Sequence, residues 1–208
     1  MHLLTSIFLA GFAVLWASQP PSPAPATYKL IKTEKQISLS SREIALKDGR
    51  TTRELKAEFI IAATPDHLLK VLKDDKLTRQ WMQGLEDYSI ISSETPINWK
   101  AYVQYNIPWP LSNQDCVISY HCIRLGNSYT IRMSGLPNYI PKKDGVERIS
   151  HLSGCWVLSP LTNTKSKVVY TVYSEQKPRF PRWATDPIIQ QNLIGSMAAL
   201  REVALSCE

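Results

Sequence analysis

Glycine is scarce in this chain: eight residues in 208, against fourteen prolines. Folds that cradle phosphates on glycine-rich loops are therefore poorly served. Neither G-x-G-x-x-G nor G-x-x-x-x-G-K-[ST] occurs, and G-x-S-x-G, H-E-x-x-H and C-x-x-C are also missing. Four cysteines, Cys116, Cys122, Cys155 and Cys207, are too few and too scattered to form a disulfide scaffold. Charge is missing from one end, since no Lys, Arg, Asp or Glu precedes Lys29. Disorder is excluded by composition, with 44% hydrophobic and 20% charged residues and six tryptophans. A chain of this length folds as one domain with a sizeable core. Its net charge of +6 suits an anionic partner such as a membrane surface without selecting one.

The uncharged amino terminus reads as a leader. Leu3 to Trp16 is a nearly unbroken apolar run, too short for a hydrocarbon core that takes about 20 residues to cross, and of the length of a secretory h-region. Ala17 and Ser18 provide small residues for cleavage, and four prolines between Pro20 and Pro25 make an extended spacer. The expected organisation is a signal peptide over 1–17, a proline-rich linker over 18–27 and one domain over 28–208, exported to a periplasm or outside the cell. In that oxidising setting the cysteines could pair. If 116–122 is a strand, Cys116 and Cys122 share a face but lie about 20 Å apart, too far to bond each other, though either could reach Cys155. Buried free thiols are the plainer reading.

Beyond the linker, Tyr28 to Ile44 alternates loosely and meets Lys47-Asp48-Gly49-Arg50, a hairpin signal before a partner strand over Leu55 to Ala62. Thr64 is a good N-cap and Pro65 a good first residue for a short helix bearing Leu68, Leu69, Val71 and Leu72. That helix continues or restarts through Leu77, Trp81 and Met82 and stops at Gly84. From Tyr88 to Tyr173 the period is two, in runs rich in Val, Ile, Tyr and Trp separated by turn residues, as in an antiparallel meander. Several runs are apolar on both faces, which suits a sheet that packs on a helix or encloses a cavity. Ala184 to Leu205 supplies the helix, with Ile189, Leu193, Met197, Leu200 and Ala204 on one stripe. The predicted class is α+β: a curved antiparallel sheet wrapped on a long carboxy-terminal helix.

The stretch from Tyr102 to Asp115, with Pro108-Trp109-Pro110-Leu111-Ser112 at its centre, resembles the hallmark of START (steroidogenic acute regulatory-related lipid-transfer) domains. There a strand ends in Pro-Trp-Pro, and a polar turn carries Arg-Asp into the next strand. Gln114 stands where the family usually has Arg, so no salt bridge can form through that position, and Asp115 is left to cap or turn the chain locally. The proline-punctuated lead-in with Trp183 and the order of elements are also similar, over residues 30–206. The resemblance implies a helix-grip fold with an apolar tunnel between sheet and final helix. That tunnel would hold one lipid, sterol-like or other hydrophobic molecule, bind without catalysis and be gated by the helix. Tunnel-lining candidates are Tyr105, Tyr120, Arg132, Met133, Trp156, Ile189, Leu193 and Met197, with Arg132 or Glu175 as polar fixers if they face inward.

Other chemistry is thin. His121 and Cys122 adjoin on one strand and point to opposite faces, so they cannot chelate one ion together. No catalytic residue, metal ligand or cofactor is assigned. Asp74-Asp75 reads as a solvated helix surface. Lys177, Arg179, Phe180, Arg182 and Trp183 interleave charge with aromatics, a candidate docking patch for a transient anionic membrane contact or simply a turn that caps the core. Nucleic acid is not expected, because the basic residues are dispersed, and a monomer is expected. Three readings stay open: a non-catalytic carrier, a cyclase- or hydrolase-type enzyme using Tyr105, Tyr120, His121 and Arg132 in the same cavity, and an interaction protein whose tunnel has closed.

Overall fold

The computed structural model describes residues 27–108, 112–176 and 180–206. The expected signal peptide, the linker up to residue 26, Trp109, Pro110, Lys177, Arg179 and Cys207 lie outside them.

The first hairpin is tighter than its sequence suggests. Tyr28 to Ile44 holds two strands, β1 (Lys29–Glu34) and β2 (Ile37–Ala45), not one. They are joined through Lys35 and Gln36, both at positive φ (49° and 59°), as in a type I′ turn. Asn-Gly would have announced such a turn, whereas Lys-Gln does not. The turn before β3 (Thr51–Ile61) carries its glycine where one is required: Gly49 sits at φ 82°, and Asp48 accepts a hydrogen bond from the Arg50 amide at 3.0 Å.

Two short helices follow. Thr64 caps α1 (Pro65–Leu72) by accepting from the His67 amide. The chain then restarts as α2 (Asp75–Trp81), because the Asp74 carboxylate accepts from the Leu77 amide at 2.9 Å and opens a second N-cap. The Asp75 carboxylate accepts from the Ile90 amide at 3.1 Å, so this acidic pair fixes α2 and is not merely a solvated surface.

The meander comprises β4 (Leu85–Thr95), β5 (Asn98–Tyr105), β6 (Gln114–Leu125), β7 (Ser128–Gly135), β8 (Glu147–Arg148), β9 (Leu152–Pro160) and β10 (Ser166–Ser174). Strand order is β1-β2-β3-β10-β9-β7-β6-β5-β4, antiparallel throughout, with β8 added parallel to β6. Gly154 allows β9 to bend toward β10: a Cβ there would lie 2.6 Å from the Thr171 carbonyl oxygen. The concave face carries Leu55, Ala57 and Phe59 of β3, Trp99, Ala101 and Val103 of β5, Cys116 and Ile118 of β6, and Trp156 and Leu158 of β9, all buried.

α3 (Arg182–Ser206), about 37 Å long at 1.5 Å per residue, closes that face. It lies so closely against the segment that follows α2 that a Cβ on Gly195 would fall 1.9 Å from Gln83 Oε1, and the Gln83 amide donates to Ser196 Oγ at 2.9 Å. The expected α+β architecture is the one the chain adopts. Cys116 and Cys122 are buried free thiols, and Cys155, on the opposite face of β9 from Trp156, is free as well.

Candidate functional site: an aromatic cavity under α3

Between the concave face, α2 and α3 lies a cavity of about 250 Å³. Leu55, Leu72, Ile118, Ile131, Leu152 and Val172 supply its aliphatic wall. Aromatic side chains supply much of the rest, in three contacts: Trp81 meets Trp156 edge to face at 6.0 Å, Trp156 leans on Tyr170 at 4.3 Å, and Trp99 stacks on Tyr120 at 4.8 Å, while Gln83, Gln114, Asn192 and Ser196 add uncharged polar groups. A second chamber of about 260 Å³ adjoins the first and shares Tyr105, Gln114, Ile149, Ile189 and Asn192 with it. The second chamber reaches Ile107, Ser112, Gln176 and Phe180, where β5 and β10 end and α3 begins.

Among the described residues, no Asp, Glu, Lys, Arg or His lines the inner chamber. The ionisable groups that these residues bring to it are the phenols of Tyr88, Tyr105, Tyr120 and Tyr170, and burial pushes all four above the ordinary tyrosine value. They are neutral at any physiological pH, so the chamber offers a ligand no charge and no base. Three side-chain atoms among the described residues are buried without a hydrogen-bond partner: Thr78 Oγ1, Trp81 Nε1 and Trp99 Nε1. All three residues line this chamber. A buried donor left unpaired costs about 1–3 kcal/mol.

Seven of the eight tunnel candidates come together here. Tyr105, Tyr120, Met133, Trp156, Ile189, Leu193 and Met197 all line the inner chamber. Arg132 does not: it is exposed on the convex face of β7, between buried Ile131 and Met133. Strand pleating makes the pair Arg132 and Met133 mutually exclusive as inward residues. Glu175 lines neither chamber. The four residues of the enzyme reading are divided as well. Tyr105 and Tyr120 face in, while His121, whose Nδ1 lies 2.5 Å from Asn98 Oδ1, is exposed on the convex face and register-paired with Arg132. Nor is the tunnel closed, since both chambers are open space.

Asp115 has a different role from the local cap expected of it. It is buried and held by a two-pronged ion pair to Arg148, at 2.6 Å (Nε to Oδ1) and 3.0 Å (Nη2 to Oδ2). Arg148 also donates to the carbonyls of Pro137, Ile140 and Pro141, and so pins the 136–148 loop to the convex face. The arginine that pairs with Asp115 thus comes from 33 residues further on and not from position 114. Gln114 itself faces inward, where both chambers meet.

Sequence reasoning missed Trp81, Trp99, Tyr88 and Tyr170 as cavity residues. The alternation that brings Tyr105 inward also brings Trp99 inward, six residues earlier on β5, and that signal was available. In the candidate membrane patch, Trp183 is 80% exposed. Arg182 lies 3.8 Å from Glu43, and Phe180 turns inward to line the second chamber.

A family model described as START domain matches residues 23–202. Among solved structures, the chain is similar to a STAR-related lipid transfer protein from Xanthomonas axonopodis, at 26% identity and TM-score 0.75 over 85% of this chain and 98% of that one. Human StAR-related lipid transfer protein 5 shares the fold at 18% identity and TM-score 0.73, with 88% and 89% of the two chains covered. The Zhui aromatase/cyclase from Streptomyces is a more distant likeness in fold, at 14% identity and TM-score 0.53 over 73% of this chain and 93% of that one. No sequence among the curated proteins matches.

Proposed function

The chain belongs to the START domain family, and from that premise we propose that it binds, and transfers, one lipid, sterol-like or other hydrophobic molecule without catalysing its chemistry. The observation that carries this reading is the uncharged, aromatic-walled cavity joined to a second chamber beneath the start of α3. Removing several hundred Å² of apolar ligand surface from water supplies on the order of 10 kcal/mol before entropic costs, enough for tight binding with no catalytic group. Ligand passes where α3 is least buried, at Ile189 and the residues before it. The exposed Trp183 and the neighbouring Arg182 suit contact with an anionic membrane during that passage. Residues 1–17 direct the chain out of the cytoplasm, and the domain acts as a monomer.

Native mass spectrometry of the purified domain, with organic extraction of whatever accompanies it, tests the reading. A stoichiometric adduct of several hundred daltons that releases a lipid or sterol-like species is expected. A bare mass that persists after incubation with mixed membrane lipids would contradict binding. A change in the adduct's mass on prolonged incubation would instead mark the cavity as a reaction chamber.

A further inference from the structure

Every unpartnered buried side-chain atom among the described residues belongs to the inner chamber, and two of the three are indole N–H groups, which can only donate. The walls also carry the phenol hydroxyls of Tyr88, Tyr105, Tyr120 and Tyr170, each neutral and able to donate or accept, the carboxamides of Gln83, Gln114 and Asn192, and the Ser196 hydroxyl. Tyr105 has found only a thioether acceptor, Met82 Sδ at 3.7 Å. None of these groups pairs with the Trp81 or the Trp99 N–H, and among the described residues no carboxylate lines the chamber.

Five of the aromatic rings also engage one another. Tyr120 stacks on Trp99, whose ring centroid lies 5.2 Å from the Lys73 ammonium, while Trp156 is packed between Trp81 and Tyr170. What Trp81 and Trp99 leave unused is the N–H at the ring edge. A chamber with spare N–H donors does not suit a quaternary ammonium, which has no lone pair to accept them. It suits an oxygen that carries lone pairs and no proton.

We propose that Trp81 and Trp99 form an acceptor-reading subsite, and that the ligand of this cavity is a neutral molecule bearing a carbonyl- or ether-type oxygen on an otherwise apolar frame. This deepens the carrier reading and rests on it. A hydroxyl would satisfy one indole but bring a proton that neither donor-only indole can accept, while a carboxylate or phosphate would enter with no countercharge among the described lining residues. Trp81 and Trp99 line the inner chamber and not the second, so the oxygen-bearing end goes in first.

The test uses two rigid probes of the same shape, fluorenone and its parent hydrocarbon fluorene, measured by equilibrium dialysis against the wild-type protein and the single variants Trp81→Phe and Trp99→Phe. Wild-type protein is expected to prefer the ketone by roughly tenfold, about what one or two such hydrogen bonds supply. At least one variant is expected to lose that preference while keeping its affinity for fluorene, which also reports that it has folded. Indole N–H resonances of ¹⁵N-labelled wild-type protein give a readout without substitution: those of Trp81 and Trp99 move downfield with fluorenone and not with fluorene. Equal affinity for both probes, with no movement of those two resonances, would overturn the subsite and leave the carrier reading standing. If neither probe binds the wild-type protein, the cavity reading itself fails.

Discussion

From Ile194 to Ala204, α3 is buried on almost every side: Ile194, Gly195, Ser196, Met197, Ala198, Leu200, Val203 and Ala204 all sit in the core. From Arg182 to Leu193 the same helix has buried only Thr185, and Trp183 and Ile189 are 80% and 43% exposed. Polar contacts follow the same division. His67 Nε2 lies 2.9 Å from the Ala204 carbonyl oxygen, and Arg201 donates to the Lys35 carbonyl at 2.8 Å. The first half has a single strong clasp, the fork of Arg53 on Asp186 at 2.5 Å for each prong. Pro187 weakens that half further, since it has no N–H to donate to the Trp183 carbonyl. One helix thus combines an anchored end with a loosely held end, and the two chambers meet under the loose one. Local stability is unequal along a single element, and the less stable part is where ligand traffic is cheapest.

The difference can be broken most severely from the anchored side. Leu200→Ala removes a side chain that is 1% exposed and is expected to destabilise the fold by about 2–5 kcal/mol, read from urea unfolding. A value below 1 kcal/mol would mean that this half is not anchored.

Alkaline pH acts on the sheet beneath both halves. Burial pushes the Cys116 thiol from 9.0 up to about 12 and raises Tyr105, Tyr120 and Tyr170 above their ordinary value. Acids of this kind stay protonated longer in the fold than in the unfolded chain, so stability is full below the unfolded pKa and is lost as pH rises. The loss is expected to begin near pH 9 with Cys116 and to steepen once the tyrosines titrate in the unfolded chain, at up to about 1.4 kcal/mol per pH unit for each group. Unfolding followed by tryptophan fluorescence checks it, and Cys116→Ala should flatten the first part of the curve.

On the loose side the effects are kinetic. Asp186→Asn opens the fork to Arg53 and should lower stability by less than about 1 kcal/mol, because both partners are partly solvated. Ligand exchange, measured by transfer between vesicles, should speed up in the variant, and added salt should speed it in the wild-type protein. Ile189→Ala is expected to leave the unfolding midpoint unchanged within about 0.5 kcal/mol and still accelerate release. A large loss of stability here would erase the distinction between the halves.

Much of this architecture is written in short-range signals. Thr64-Pro65 announces α1, period-two runs announce the meander, and the stripe from Ile189 to Ala204 announces α3. What escaped depends on partners distant in sequence or on parity. Arg148 finds Asp115 across 33 residues, and no local pattern links them. Arg132 was placed inward beside Met133 although adjacent strand residues cannot share a face. Lys35 and Gln36 form a turn at positive φ without the Gly or Asn that usually marks one. The cavity itself is a void, and the same apolar residues would serve a filled core. Gly154 and Gly195 sit where a side chain would collide with Thr171 and Gln83, a close approach that no local pattern announces.

Hydrogen exchange along α3, in delipidated protein and in protein loaded from mixed-lipid vesicles, tests the account most directly. Amides of residues 183–193 are expected to exchange about a hundredfold faster than those of 194–204 without ligand, and to slow markedly on loading. Uniform exchange along the helix, or a first half indifferent to loading, would contradict a cavity entered beneath the loose end of α3.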